Sequence, residues 1–177
     1  VSAMIKNILY AADLGAFTRY ALTHVESLAE QYDAKVSVVH VVPPIEVFTS
    51  AVLSSYCSEK VKKELLSLHG VDAINDMIRD QIFDLLSMSS NGEAHILNYI
   101  DSIRVLTGYP ASVILDEART ACADLIVIGN HSASTIEPHL LGSVAAKILQ
   151  LARTPVYMIP MMKPPLHSGP TSSVLFS

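Results

Sequence analysis

The sequence predicts an α/β fold, an open parallel sheet of five strands with helices wound on both sides. Segments of strand and helix character alternate along the chain, and parallel strands need such helical crossovers between them. Residues 125–128 (LIVI) form a short, continuous apolar run, which is typical of a strand covered on both faces. The chain has 177 residues, half of them hydrophobic, so it is long enough for one domain with a substantial core.

The first forty residues predict a β-α-β unit. Residues 5–12 (IKNILYAA) indicate a strand that ends at Asp13, and residues 35–42 (KVSVVHVV) indicate a second strand that Pro43 stops. Between them, one apolar helix face is formed by Ala21, Leu22, Val25, Leu28 and Ala29. The crossover should be right-handed.

Residues 43–100 are expected to form a long helical crossover. Ser58 is a candidate N-cap for a helix over residues 59–68, and an apolar stripe of helical period continues after it. His69-Gly70 interrupts this pattern, which fits either two helices or one kinked helix. Residues 93–100 (EAHILNYI) are compatible with both a helix and a strand.

The second half of the chain predicts the remaining elements. They are an edge strand over residues 102–107 with Arg104 facing water, a helix over 111–121, the buried strand 125–128, a helix that opens at Gly142-Ser143, and a last apolar strand, Val156–Ile159. We therefore expect one domain over residues 1–160. Residues 161–177 contain several prolines and serines and are expected to be an extended or disordered tail.

Composition argues against several classes of protein. The net charge is −5 and the 12 basic residues are scattered, whereas a nucleic-acid binder needs a basic patch. Cys57 and Cys122 lack the spacing of metal ligands and suit a reducing compartment. No apolar stretch approaches about 18 residues, and the N-terminal apolar run is too short for a signal peptide. We expect a cytoplasmic protein that binds neither nucleic acid nor membranes.

A spaced set of small residues carries a family resemblance. Gly129 is followed by two residues, then Ser132, then nine residues, then Gly142-Ser143. This spacing resembles the motif of UspA-like universal stress proteins of the nucleotide-binding type, in which a glycine stands where this chain has Ser132. The motif is therefore degenerate at one position. The resemblance extends over residues 142–160 and to Asp13 and His40-Val41-Val42.

The resemblance implies a Rossmann-like fold of the adenine nucleotide alpha hydrolase type, with strand order 3-2-1-4-5. In that order the first and fourth strands are neighbours, and ligands bind at the carboxyl ends of strands at such a switch point. Asp13 ends the first strand and Gly129 ends the fourth. The residues that the resemblance implies for nucleotide binding are Ala12, Asp13, Val41, Gly129, His131, Ser132, Gly142, Ser143 and Val144.

Five of these residues also have a purely structural interpretation. Gly129 and Gly142 either let the backbone approach a phosphate or form turns at a strand end and a helix start. Ser143 either bonds a phosphate or caps its helix. Asp13 either hydrogen-bonds the adenine or ribose edge or is a solvated helix N-cap. Val41 is either an apolar wall and backbone contact for the base or ordinary core.

The loop between the glycines constrains the choice of ligand. It contains no lysine or arginine between Asn130 and Leu141, and Glu137 adds a negative charge. A triphosphate would depend on backbone amides, Ser132, Ser143, His131, His139 and Mg²⁺. We predict ATP or another adenine nucleotide, with or without Mg²⁺, and a monophosphate or cyclic nucleotide suits the weak positive potential better.

The resemblance predicts an adenine-nucleotide-responsive module of the stress response that acts on an unidentified protein partner. It implies a homodimer that pairs its last strands, Val156–Ile159, antiparallel, and pairing would protect this apolar edge. One alternative is a dimeric interaction protein of the same fold that has lost nucleotide binding, and another is a slow ATPase. No nucleophile, base and orienting group can be assembled from the sequence, and His40 is expected to be a buried, satisfied strand residue.

Overall fold

The protein was analysed as a computed structural model, which describes residues 4–15, 17–44, 68–87, 95–130 and 141–161. Five strands form a single parallel sheet: β1 (Asn7–Ala11), β2 (Lys35–Val42), β3 (Ile100–Thr107), β4 (Leu125–Gly129) and β5 (Val156–Ile159). Their order across the sheet is β3-β2-β1-β4-β5, with every neighbouring pair parallel. The predicted fold class and strand order are confirmed, and the switch point lies between β1 and β4.

Four α-helices and one turn of 3-10 helix connect the strands within the described ranges. They are α1 (Thr18–Tyr32), α2 (Leu68–Ser87), the 3-10 helix (His95–Asn98), α3 (Pro110–Thr120) and α4 (Ser143–Leu151). Buried side chains of α1 and α2 pack on one face of the sheet, and those of α3 and α4 pack on the other. The fold is therefore doubly wound.

Burial on both faces explains why the central strands β1 and β4 are almost entirely apolar. In β1, Tyr10 faces the helices α1 and α2, whereas its neighbour Leu9 faces α3 and α4, and both side chains are fully buried. In β4 the same alternation places Val127 on the first face and Ile128 on the second. A sheet covered on both sides leaves no solvent face for polar residues.

The described part of the crossover between β2 and β3 bears on two choices that the sequence left open. The described helix α2 runs through His69-Gly70 without interruption, because packing of Ile82 and Leu86 in the core outweighs the roughly 1 kcal/mol cost of a helical glycine. The predicted helix over 59–68, apart from its last residue, and its cap Ser58 lie outside the described residues. The ambiguous stretch 93–100 contains both structures, since the 3-10 helix buries Ile96 before β3 begins at Ile100.

The edge strand β3 is tied to the helix that follows it. Arg104 was expected to face water, and its side chain is about half exposed. Its guanidinium also forms an ion pair with Glu117 of α3, a carboxylate that is almost fully buried. A buried carboxylate without such a partner would be costly, so the pair explains how Glu117 is accommodated against the sheet.

A carboxylate at the start of β4 holds β1 in register. Asp124 Oδ2 accepts hydrogen bonds from the backbone amides of Lys6 and Asn7, each at 2.9 Å. These bonds hold the start of β1 beside the start of β4, at the amino ends of the strands. No helix within the described ranges is both long and apolar enough to cross a membrane.

Candidate functional site

A cavity of about 420 Å³ opens at the carboxyl ends of β1, β2 and β4, on the side of the sheet that α3 and α4 cover. This volume falls within the roughly 300–1,000 Å³ of typical small-ligand sites. Most of its wall is apolar, and the wall includes Val39, Ile114, Ile128 and Ile148. The cavity thus occupies the crevice where a doubly wound sheet binds ligands.

The structure brings seven of the nine predicted site residues around this cavity. They are Ala12, Asp13, Val41, Gly129, Gly142, Ser143 and Val144. His131 and Ser132 lie outside the described residues. The described residues come from the ends of three strands and from the start of α4, so the topology of the sheet is what brings them together.

Asp13 organises the turn between β1 and α1. Its Oδ1 accepts a hydrogen bond from the Gly15 amide at 3.1 Å and lies 3.5 Å from the Thr18 hydroxyl. The N-cap residue of α1 is Phe17, so the alternative of Asp13 as the helix N-cap is wrong. The turn includes Leu14 at φ 57°, a left-handed conformation that costs roughly 1–2 kcal/mol for an ordinary residue. Such strain is found preferentially at functional sites.

His40 contributes to the cavity wall and fixes the exit of β1. Its Nδ1 lies 2.7 Å from the carbonyl oxygen of Ala12. A carbonyl only accepts, so Nδ1 carries a hydrogen and donates it to this oxygen. His40 is satisfied, as predicted, but it is half-buried and lines the cavity. It is a site residue that the sequence interpretation missed.

Gly129 has a structural reason to lack a side chain. A Cβ added there would lie 2.9 Å from Cγ and 3.0 Å from Cε of Met161. Met161 is 4% exposed and belongs to the core on the α1 side of the sheet. The glycine therefore makes room for Met161, on the face of β4 opposite the one that Ile128 presents to the cavity. Met161 falls in the predicted tail, whose other residues lie outside the described ranges.

Asn130 ties together the three chain segments that meet beside Gly129. Its amide donates to the Ile159 carbonyl at 3.0 Å, and its own carbonyl accepts from the Gly142 amide at 2.8 Å. Its side-chain Oδ1 accepts from the Met161 amide at 2.8 Å. The two ends of the loop, Asn130 and Gly142, are thus bonded directly to each other, and the end of β5 is held against the same point.

The first turn of α4 borders the cavity. Gly142 is the N-cap residue and Ser143 is the first residue of the helix, so the alternative of Ser143 as the cap is wrong. The first backbone bond of the helix is donated by Ala146 to Gly142. The amides of Ser143, Val144 and Ala145 precede it and therefore have no partner within the helix. All three residues line the cavity, where such amides and the helix dipole favour negative charge.

A comparison with known protein families identifies the family to which this chain belongs. The model of the universal stress protein family matches residues 4–160. The chain belongs to this family. Universal stress protein YxiE of Bacillus subtilis is 27% identical to it over 157 residues, which cover 88% of this chain and 99% of YxiE. The resemblance carried by the glycine spacing is confirmed.

Solved structures of universal stress proteins share the fold at lower identity. One, in complex with cAMP, superposes with a TM-score of 0.51 at 19% identity and covers 90% of this chain and 99% of that one. Another, from Archaeoglobus fulgidus in complex with dAMP, has a TM-score of 0.52 at 20% identity and covers 88% of this chain and 98% of that one. These similarities establish the fold, while the nucleotides are properties of those two proteins.

The chemistry of the cavity in this universal stress protein suits a small ligand with one apolar end. Apolar strand ends form a wall, Asp13 offers a hydrogen-bond acceptor, and the amides of α4 offer donors. Within the described residues, no group of three or more His, Cys, Asp or Glu side chains is placed to hold a metal ion. Besides His40, the sequence interpretation missed Pro43, Pro110 and several apolar wall residues, because a proline at a strand exit or helix start and an aliphatic core residue carry no ligand signal of their own. The apolar residues are Ala11, Val39, Ile114, Ile128, Ala145 and Ile148.

Proposed function

We propose that this universal stress protein binds an adenine nucleotide in the cavity between β1 and β4. The observation that carries the proposal is the convergence of Asp13, Val41 and the first turn of α4 on one cavity of about 420 Å³. Relatives of the same fold bound to cAMP and dAMP support the choice of an adenine nucleotide.

Each part of the ligand has a matching part of the cavity. The flat, apolar faces of adenine suit the wall that Val41 and its apolar neighbours form. The Asp13 carboxylate accepts hydrogen bonds and therefore pairs with a ribose hydroxyl or an amino group. The amides of Ser143, Val144 and Ala145 donate to a phosphate. The predicted residues His131 and Ser132 would complete the phosphate end.

We infer that the nucleotide acts as a signal in the stress response. Bound ligand would bias the conformation of the loop between Asn130 and Gly142 and thereby a surface that a partner protein recognises. Asn130 transmits this bias, since it bonds the loop end, the end of β5 and Met161. The cytoplasm is the proposed compartment.

The edge strand β5 supports a homodimer. It is the last strand of the sheet and pairs with β4 on one side, and its Tyr157 and Met158 are exposed. An apolar strand edge invites pairing with another strand, and a second copy of the chain would cover it. A dimeric interaction protein without nucleotide is the competing function, and Ser132 and Glu137 in the glycine loop favour it.

The deciding experiment releases any bound nucleotide from freshly purified protein by denaturation and identifies it by chromatography. Titration calorimetry with adenine nucleotides follows if none is released. Gly142→Val should abolish binding, because Gly142 lines the cavity at the start of α4 and a branched side chain there would crowd a phosphate. Gly142 has φ −62° and ψ 148°, which valine adopts readily, so the backbone is not strained. Gln150→Ala, on the exposed side of α4, is the matched control. A protein that neither releases nor binds a nucleotide would leave the interaction protein as the function.

A further inference from the structure

We propose that His40 is a positioning residue for recognition of the nucleobase: its bond to Ala12 ends the β1–β2 ladder and leaves the backbone of Val41 facing the cavity. This inference rests on the proposed function and concerns the end of the same cavity that would hold the base. It follows from the register of two strands and from one side-chain bond.

The β1–β2 ladder stops one pair short of where it could continue. The last paired residues are Ala11 and Val39, and the Ala12 amide still donates to the Val39 carbonyl at 2.9 Å. The next bond of a parallel ladder would run from the Val41 amide to the Ala12 carbonyl, but the described register does not extend to it. The His40 Nδ1 lies 2.7 Å from that carbonyl and donates to it instead.

The His40 side chain reaches Ala12 from the side of the sheet that α1 and α2 cover. Along β2 the side chains of Val39 and Val41 pack on the α3–α4 side, and that of Val38 packs on the α1–α2 side. Successive side chains of a strand point to opposite faces, so the side chain of His40 leaves β2 on the α1–α2 side. The imidazole therefore holds the end of β1 from behind the cavity wall.

The backbone amide and carbonyl of Val41 are directed toward the gap that opens where β1 leaves the sheet. In an inner strand the polar groups of alternate residues are directed to alternate neighbours, and the Val39 carbonyl faces β1 because it accepts from Ala12. Two residues further along, Val41 faces the same way and lines the cavity. One backbone donor and one acceptor thus lie side by side, and this pair matches the acceptor and donor on the Watson–Crick edge of adenine.

Without the imidazole donor, the same backbone groups would pair with each other. Ala12 is buried, so its carbonyl would need another partner, and the ladder provides one in the Val41 amide. That bond would lengthen β1 by one pair and occupy the donor that adenine needs. His40 therefore decides between a closed ladder and an open base site.

Binding of AMP and of IMP (inosine monophosphate) to the full chain, measured by titration calorimetry, tests the positioning role. IMP lacks the 6-amino donor of adenine and carries a hydrogen on N1, so its edge opposes the backbone pair of Val41. His40→Asn keeps a donor near the position of Nδ1, and His40→Leu has a similar shape without one. The parent and His40→Asn should prefer AMP by about tenfold, and His40→Leu should lose most of this preference.

The ratio of the two affinities separates positioning from a purely structural role, which would weaken both nucleotides alike. An unchanged ratio in His40→Leu, an equal loss in His40→Asn, or a parent without preference would overturn this inference. Failure of the parent to bind either nucleotide would instead overturn the proposed function.

Amide hydrogen exchange followed by NMR tests the same geometry in the unsubstituted protein. Without ligand, the Val41 amide should exchange at least about tenfold faster than the Val39 amide, which lies within the ladder. AMP should protect the Val41 amide in the parent, and His40→Leu should protect it without ligand. Equal protection of Val41 and Val39 in the ligand-free parent would overturn this inference, whether or not nucleotides bind.

Discussion

Adding one methyl group at the end of β4 should destabilise the fold, because the space it would occupy is filled by Met161. In Gly129→Ala the new Cβ would meet the Met161 side chain at 2.9–3.0 Å, closer than carbon atoms pack. Met161 is buried and Asn130 holds its backbone amide, so the chain cannot simply move away. Only the side chain can adjust.

The expected magnitude is a balance of two effects. Overpacking a well-filled core costs about 1–3 kcal/mol. Replacing glycine with alanine recovers about 0.4–1 kcal/mol by restricting the unfolded chain. Gly129 does not have a positive φ, so backbone strain adds nothing. The net loss in the free energy of unfolding should lie between about 0 and 2.6 kcal/mol, centred near about 1.3 kcal/mol.

A double-mutant cycle isolates the contact. Met161→Ala alone should cost about 2–5 kcal/mol, as large-to-small changes of buried side chains do. In that background Gly129→Ala should be neutral or slightly stabilising, because the cavity left by the methionine accepts the methyl group. Urea unfolding followed by circular dichroism measures all four proteins. An equal cost of Gly129→Ala in both backgrounds would refute the steric explanation.

The same proteins distinguish the two interpretations of Gly129. Its Cβ direction points to Met161, on the opposite face of the sheet from the cavity. The double variant should therefore bind nucleotide as the parent chain does. Loss of binding in a folded double variant would show that the ligand itself needs the glycine.

Substitutions at three further positions test the described contacts. Asp124→Ala should cost about 1–3 kcal/mol in urea unfolding, because the amides of Lys6 and Asn7 lose a charged acceptor, and a cost below about 0.5 kcal/mol would contradict that role. Tyr10→Phe should not destabilise the protein, since the buried hydroxyl has no partner. Burial raises the pKa of Tyr10, so the parent should lose stability above about pH 10, where unfolded tyrosine ionises, by up to about 1.4 kcal/mol per pH unit, and the variant should lose less. Asn130→Ala should cost about 0.5–1.5 kcal/mol in urea unfolding because the Met161 amide loses its acceptor, and Asn130→Asp, which keeps an acceptor, should cost less. Equal costs in the two variants would exclude a stabilising role of this bond.

The sheet was predictable because its strands obey a strong rule. A strand buried on both faces must be apolar throughout, and β4 and the greater part of β1 and β2 are. The 3-10 helix at His95–Asn98 was not predictable, because four residues are too few for any period to show. Its position depends on Ile96 reaching the core beneath α1, a contact between segments far apart in the sequence.

The spacing of the glycines predicted part of the site, whereas the contacts that depend on tertiary packing could not be predicted from the sequence. The distance from Gly129 to Gly142 pointed to a loop between a strand and a helix, and both glycines border the cavity. The contact of Gly129 with Met161 and the bond from His40 to Ala12 are tertiary. Neither contact leaves a pattern in the sequence, since a methionine or a histidine at such a position can equally be an ordinary core residue.

The strand ends and the start of α4 form different parts of the cavity wall. The proposed base end of the cavity is formed by strand ends whose apolar character the sheet itself requires, so this end is constrained by folding. The proposed phosphate end is bordered by the first turn of α4, where Ser143 is exposed, and the bond from the Gly142 amide to the Asn130 carbonyl lies beside it. This division predicts that a charge change at Ser143 alters ligand binding with little effect on the free energy of unfolding, whereas changes at Val41 or Ile128 alter both.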